Sequence, residues 1–299
     1  MKTKIIIILL CLCPILMAQQ SIITESYNGV NIKLVWVEGG TFDMGCTSEQ
    51  QTYCDDDEQI VRHLTMSGFY MGIFEVTQKQ WKTIMGTTIS ELATTEPLGE
   101  GKGNFNDGLN RVVDKFVNIV DDVFDVSSTT KNKISNDNIG ADMPIYYVSW
   151  FDAMQFCKVL SEKTGKHYAL PTEAQWEYAA RGGKYHQNTL YSGSNEVDRV
   201  AWTNDNANRQ LHKVGLLQPN VLGIYDMSGN VSEWCSDLYY DEYDIDKTTN
   251  PEEEFRGTYR VNRGGSWLNH YIYSRVAKRN FATPHQRIET IGFRIILIP

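Results

Sequence analysis

The segment RGGSWLNHYIYSRVAKRN, residues 263–280, gathers side chains suited to recognition. Trp267, Tyr271 and Tyr273 offer rigid amphipathic area, while Asn269, His270, Arg275 and Arg279 offer directional hydrogen bonds, a composition that suits a binding surface. The segment holds no activated nucleophile. No cysteine lies between residues 236 and 299, and a lone His270 among aromatics reads as a hydrogen-bonding residue rather than a metal ligand. The competing reading is that the aromatics only fill the core of a region poor in strands.

Four cysteines follow residue 20: Cys46, Cys54, Cys157 and Cys235. Cys46 and Cys54 flank a short polar stretch, and a local bridge closing it contributes ~2–3 kcal/mol in the loop-entropy account. Cys157 and Cys235 are then either bridged to each other or buried as free thiols. Metal ligation by the first pair would need a neighbouring His or a second CxxC, and neither is present. Asn204, Asp205, Asn206 and Asn208 crowd one turn-rich stretch, which reads either as a second ion site or, favoured, as residues that satisfy their own backbone. The acidic runs at 55–58 and 241–246 read as solvated faces.

These groups must be positioned by a chain of 299 residues with 41% hydrophobic content, enough for a well-buried core. A formal net charge of -9 leaves no basic stripe for phosphates, so a nucleic-acid partner is not expected. Lys2 and Lys4 precede an apolar run from Ile5 to Met17, followed by Ala18, which predicts a signal peptide over 1–18 and export to the periplasm, cell surface or medium. No later stretch has transmembrane length.

From Asn31 to Glu75 the sequence reads as short strands broken at Gly39-Gly40, Gly68 and Gly72. Three helices are signalled. Thr77 with Gln80, and Thr172 with Gln175, form capping boxes; Gly86 and Gly165 stop the helices that begin near Thr77 and Trp150. Residues 87–140 read as an insertion carrying an amphipathic helix, with Leu109, Val112, Val113, Phe116, Val117, Val120 and Phe124 on one stripe. After residue 182 the chain turns to Gly, Asn and aromatics, so its backbone groups need partners in short strands, side chains or bound ions.

The order LTMSGFYMGIFEVTQKQWKTIMG, MPIYYVSWFDAMQFCKVLSEKTGKHYALPTEAQWEYAARGG, PNVLGIYDMSGNVSEWCSD, RVNRGGSW and IGFRI resembles the formylglycine-generating-enzyme, or sulfatase-modifying-factor, family across nearly all of residues 19–299. The resemblance implies a single α+β domain with much irregular structure, related to the C-type-lectin-like architecture. It also implies structural Ca²⁺, held by side-chain oxygens of Asp226 and Glu233 and carbonyls of Gly229 and Val231. A turn can supply such hard oxygen ligands.

In the family's oxidising members, two cysteines after the GGS-aromatic motif bind copper. Here those positions fall at or near Asn269 and near Ser274, and Cu(I) requires soft thiolates. Copper is therefore not expected, and neither is copper-dependent cysteine oxidation. Ser232 and Thr290 replace an aromatic and an Asn that the family commonly carries. The expectation is a non-oxidising, pseudoenzyme-like binding or assembly module with a protein or glycan ligand at the cell envelope. One alternative is an enzyme with different chemistry, although the chain lacks the helical, His-rich domain of iron-dependent relatives. The other is a lectin-like receptor with a diversified C-terminal surface.

Overall fold

The computed structural model describes residues 21–50, 52–95, 97, 138–241, 247–252 and 258–299. The expected signal peptide, the amphipathic stripe at 109–124 and most of the acidic run at 241–246 lie outside these residues.

The alternating sequences near the start form β1 (Ile22–Tyr27), β2 (Val30–Val37), β3 (Gly40–Met44), β4 (Arg62–Met66) and β5 (Phe69–Gly72). The breaks fall at the glycines, as expected. Strands β1, β2 and β5 continue into a five-stranded antiparallel sheet with β13 (Ile296–Ile298) and β6 (His167–Ala169), in the order β1-β2-β5-β13-β6. The last strand thus sits between early ones, drawing the C-terminal segment back onto the first half of the chain. β3 and β4 form a separate antiparallel pair.

Both predicted capping boxes are present. Thr77 caps α1 (Gln78–Met85) and Thr172 caps α4 (Glu173–Ala180), each with its side chain accepting from the third helical N–H while Gln80 or Gln175 returns the bond. The same chemistry recurs at Thr88 with Glu91 for α2 (Ile89–Leu92) and at Ser149 with Asp152 for α3 (Trp150–Thr164). Gly86 and Gly165 end α1 and α3 with φ of 78° and 70°, a left-handed conformation that glycine adopts without steric cost.

One core cluster joins α1 and α3 to the large sheet through Trp81, Phe156 and Phe293, whose rings meet at 5.3–6.3 Å. A second lies under α4 and includes Trp176, Tyr178, Met71 and Val261. Cys157 belongs to the first and Cys235 to the second, so both are buried free thiols rather than a bridge. Cys46 and Cys54 form the local disulfide, with Cα atoms 5.8 Å apart. Among the described residues no helix is long and apolar enough to cross a membrane.

The second half is organised by a four-stranded sheet in the order β11-β10-β9-β12. Its members are β9 (Ser232–Leu238), β10 (Arg260–Arg263), β11 (Arg279–Ala282) and β12 (Ile291–Gly292), with β12 parallel to β9. A short parallel pair, β7 (Ala201–Trp202) and β8 (Ser228–Gly229), abuts it.

Candidate functional site: a held loop and a buried carboxylate cluster

Strands β10 and β11 carry the two ends of the aromatic segment and fix its base. Between them Gly264 and Gly265 take φ of 94° and 67°. A Cβ on Gly265 would lie 2.7 Å from the Tyr273 carbonyl and 2.8 Å from Ser274 Oγ, so the turn closes only with glycine there. Ser266 Oγ then donates to Asn269 Oδ1 at 2.7 Å, Trp267 N–H to the Asn230 carbonyl, and Asn204 N–H to the Asn269 carbonyl. A single 3₁₀ turn, Tyr271–Ser274, completes the loop.

The structure divides the seven residues expected to form one surface. His270 and Tyr273 are exposed, and Asn269 and Tyr271 are half-buried. Trp267, Arg275 and Arg279 turn inward, and this corrects their placement on the recognition face. Arg275 makes a bidentate pair with Glu58 at 2.8 and 3.0 Å, and Arg279 makes another with Glu173 at 2.8 and 3.0 Å. Arg263 bridges Glu173 and Glu177. A buried guanidinium needs such a partner, because unpaired it would carry a large desolvation cost.

The acidic run at 55–58 differs from a plain solvated face for the same reason. Glu58 is fully buried beneath Arg275, Asp57 accepts from Tyr239 Oη at 2.9 Å, and Asp55 pairs with Lys278. Asp55, Asp57 and Glu58 are the one set of three such groups among the described residues whose ligating atoms all lie within 4.8 Å of one another, and Arg275, Lys278 and Arg279 already answer its charge. The Asn-rich stretch satisfies its own backbone, with Asn206 Oδ1 accepting from Thr203 N–H at 2.8 Å and Asn206 Nδ2 donating to the Ala201 carbonyl.

The two positions where a copper site would place thiolates present oxygen and nitrogen instead. Asn269 is engaged with Ser266, while Ser274 Oγ is buried without a hydrogen-bond partner. These are hard donors, unsuited to Cu(I), so the residues present do not fit that metal.

Asp226, Gly229 and Val231 lie buried on the stretch that leads through β8 into β9, and Glu233 lies buried within β9. Asp226 and Asn230 take positive φ of 58° and 60°, and a Cβ on Gly229 would come within 2.4 Å of the Trp202 carbonyl. Glu233 is not a free ligand. Its Oε2 accepts from Trp176 Nε1 at 2.7 Å and from Arg294 Nε at 2.6 Å, and its Oε1 accepts from Arg294 at 2.6 Å.

Glu75, which sequence reasoning missed, completes the group. It is 1% exposed, and neither carboxylate oxygen has a hydrogen-bond partner. Burial first, then the Asp226 and Glu233 carboxylates, push Glu75 well above the ordinary carboxylate range. Burial likewise raises Asp226 to about 6, against the pull of Gly215 N–H and Arg294. Three carboxylates face one guanidinium, so the cluster is short of positive charge. The orphaned oxygens are those of Glu75, which suit a hard cation; Asp226 beside it already accepts from Gly215 N–H at 2.7 Å through Oδ2, and Glu233 is held by Arg294 as a neighbouring charge. The only local signal for Glu75 was an acidic residue inside the apolar run GIFEV just before a helix cap.

Fold and site together define an α+β domain of C-type-lectin-like architecture with much irregular structure, as the resemblance implied. Residues 20–298 match the Sulfatase-modifying factor enzyme 1-like domain, and the chain belongs to that family. It is 33% identical over 267 residues to the chaperone protein LppX of Paenibacillus barcinonensis, covering 82% of each chain. To the formylglycine-generating enzyme of Mus musculus it is 28% identical over 286 residues, covering 88% of this chain and 74% of the other. Among solved structures, PvdO from Pseudomonas aeruginosa gives a TM-score of 0.69 at 23% identity, covering 93% of this chain and 98% of that one. Treponema denticola variable protein 1 gives 0.68 at 23% identity, covering 93% and 99%. These two likenesses establish the fold.

Proposed function

We propose that this is an exported, non-oxidising member of the family that works as a binding or assembly module at the cell envelope. The observation carrying this reading is the makeup of the aromatic loop: no cysteine from residue 236 onward, and an exposed tip of His270 and Tyr273 on a base locked by buried ion pairs. The 33% identity to a protein named as a chaperone supports an assembly role. The leader-like residues 1–18 and the Cys46–Cys54 disulfide support an oxidising compartment. Calcium serves the module as a structural ion beside Glu75 and Asp226, and residues 87–140 form an insertion in the domain.

The test has two arms. Purified protein incubated with copper, oxygen and a cysteine peptide of sulfatase type yields no aldehyde; copper-dependent formation of one would refute the non-oxidising reading. Cross-linking from the exported protein in its own envelope fraction captures a protein or glycan that Tyr273→Ala no longer captures, and unchanged capture by that variant would refute the loop as the binding surface. A second reading, a receptor with a diversified surface, is favoured by the division between a fixed base and a tip that bears little packing. It requires that Asn269, His270, Tyr271 and Tyr273 vary between related strains while Arg275 and Arg279 do not.

A further inference from the structure

A cavity of about 460 Å³ opens beside the β3–β4 pair, and none of its lining residues belongs to the aromatic loop or to the buried carboxylate cluster. Its volume falls in the ~300–1,000 Å³ range of small-ligand sites. Asp43 and His63 form one wall, the disulfide loop from Cys46 to Glu49 a second, and residues 186–188 after α4 a third. Arg181 also lines it.

The charged groups here are hydrogen-bonded within the protein. Arg181 donates to Glu177 at 2.8 Å, to Glu49 at 2.6 Å, to Thr47 Oγ1 at 3.0 Å and to the Gly45 carbonyl at 2.8 Å. Asp43 pairs with His63 at 2.8 Å. A ligand phosphate or carboxylate would therefore meet a guanidinium already engaged by all three of its nitrogens, beside two carboxylates. A ligand ammonium would compete with Arg181 or His63 for each carboxylate. Nor do the cavity's imidazoles and carboxylates gather closely enough to hold a metal.

Beside those carboxylates, what the cavity leaves available is neutral. Gln187 and Asn188 line it and are exposed, and neither amide makes a hydrogen bond within the described residues. Each amide offers both a carbonyl acceptor and paired N–H donors. Thr41 and Ser48 add hydroxyls, and Val61, 44% exposed, adds an apolar edge. We infer that the cavity binds a neutral, hydroxyl-rich ligand, the saccharide ring of a glycan. A sugar hydroxyl donates and accepts at once, matching an amide, and the C–H face of the ring suits an apolar edge. This site is separate from the loop assigned above, and the two readings stand or fall independently.

The test is a titration of the full chain, disulfide intact, with methyl glycosides of glucose, galactose, mannose and N-acetylglucosamine. Glucuronate, glucosamine and glucose 6-phosphate serve as charged counterparts. Backbone amide resonances of Thr41, Ser48 and Glu49 are followed by NMR in every variant, together with the side-chain amides of Gln187 and Asn188 where these are present. At least one neutral glycoside is expected to give saturable shifts, with binding at least tenfold weaker in Gln187→Ala/Asn188→Ala and unchanged in Tyr273→Ala. The double variant should melt with the parent, since both side chains are exposed. Absence of saturable binding by every neutral glycoside, undiminished binding by the double variant, or tighter binding of a charged counterpart would overturn the inference. An equal loss in Tyr273→Ala would overturn the separateness of the two sites.

Discussion

Tyr273 and Arg275 stand two positions apart and meet opposite environments. Tyr273 is 41% exposed, with the Lys278 ammonium 5.7 Å from its ring centre, whereas Arg275 is 1% exposed and locked to Glu58. Near neighbours in one motif therefore do different work. Tyr273→Ala is expected to weaken partner binding by ~1 kcal/mol or more with little change in melting, as for an exposed interface anchor. Trp267→Ala, at 6% exposure in the core cluster, is expected to cost ~3 kcal/mol or more of stability. Tyr271, half-buried against Tyr191, Val200 and Ala201, falls between the two. Denaturant melts and binding isotherms on all three variants check the division; a stable Trp267→Ala protein with a selective binding defect would place the recognition surface deeper than the exposed tip.

At the scale of elements, the disulfide loop and the aromatic loop are one assembly. The Cys46–Cys54 bridge closes a loop whose Cys46 N–H bonds the Glu58 carbonyl at 2.8 Å, and Glu58 in turn seats Arg275. Gln50 donates to the Leu190 carbonyl, which also accepts from Val276 N–H. Cys46→Ser/Cys54→Ser is thus expected to cost ~2–3 kcal/mol and to speed amide exchange both at 46–58 and at 266–279. Glu58→Gln, which strips the charge from a buried pair, is expected to cost ~3 kcal/mol or more and to loosen the same two segments. Faster exchange confined to 46–58 in both variants would show that the loops are not coupled. This coupling explains what the sequence could and could not reveal. Caps such as Thr77 with Gln80 and stops such as Gly165 act within a few residues, so their pattern is visible along the chain. Arg275 and Arg279 read as surface groups because their partners, Glu58 and Glu173, lie 217 and 106 positions away. Glu75 escaped notice for the same reason, since only the folded chain brings Asp226 and Glu233 beside it.

For the whole molecule, two buried carboxylate groups pull stability in opposite directions with pH. Asp226, raised from 3.8 to about 6, and Glu75, raised above 4.5, hold protons in the native state that the unfolded chain has already released. Their contribution is present below the unfolded values and is lost as pH rises through the native ones, by on the order of 3 kcal/mol for Asp226 alone. Glu173 runs the other way. Against its burial, Arg279 and Arg263 hold it below 4.5, so its contribution is present above that value and is lost as pH falls through the native one. Calcium-free protein should accordingly be most stable near the unfolded carboxylate values, about 4 to 4.5, and weaken steadily as pH rises toward neutrality. A cation bound by the ionised native cluster reverses that weakening by mass action, so millimolar calcium should raise the melting temperature at pH 7.5 and have little effect at pH 5. Glu75→Gln separates this account from simple damage to the core. In chelator at pH 7.5 it should melt higher than the parent, because a buried carboxyl that must either take up a proton on folding or carry an uncompensated charge is gone, and it should no longer respond to calcium. A Glu75→Gln protein that melts lower in chelator, or that keeps the full calcium response, would mean that the cluster is balanced without an ion and that calcium acts elsewhere.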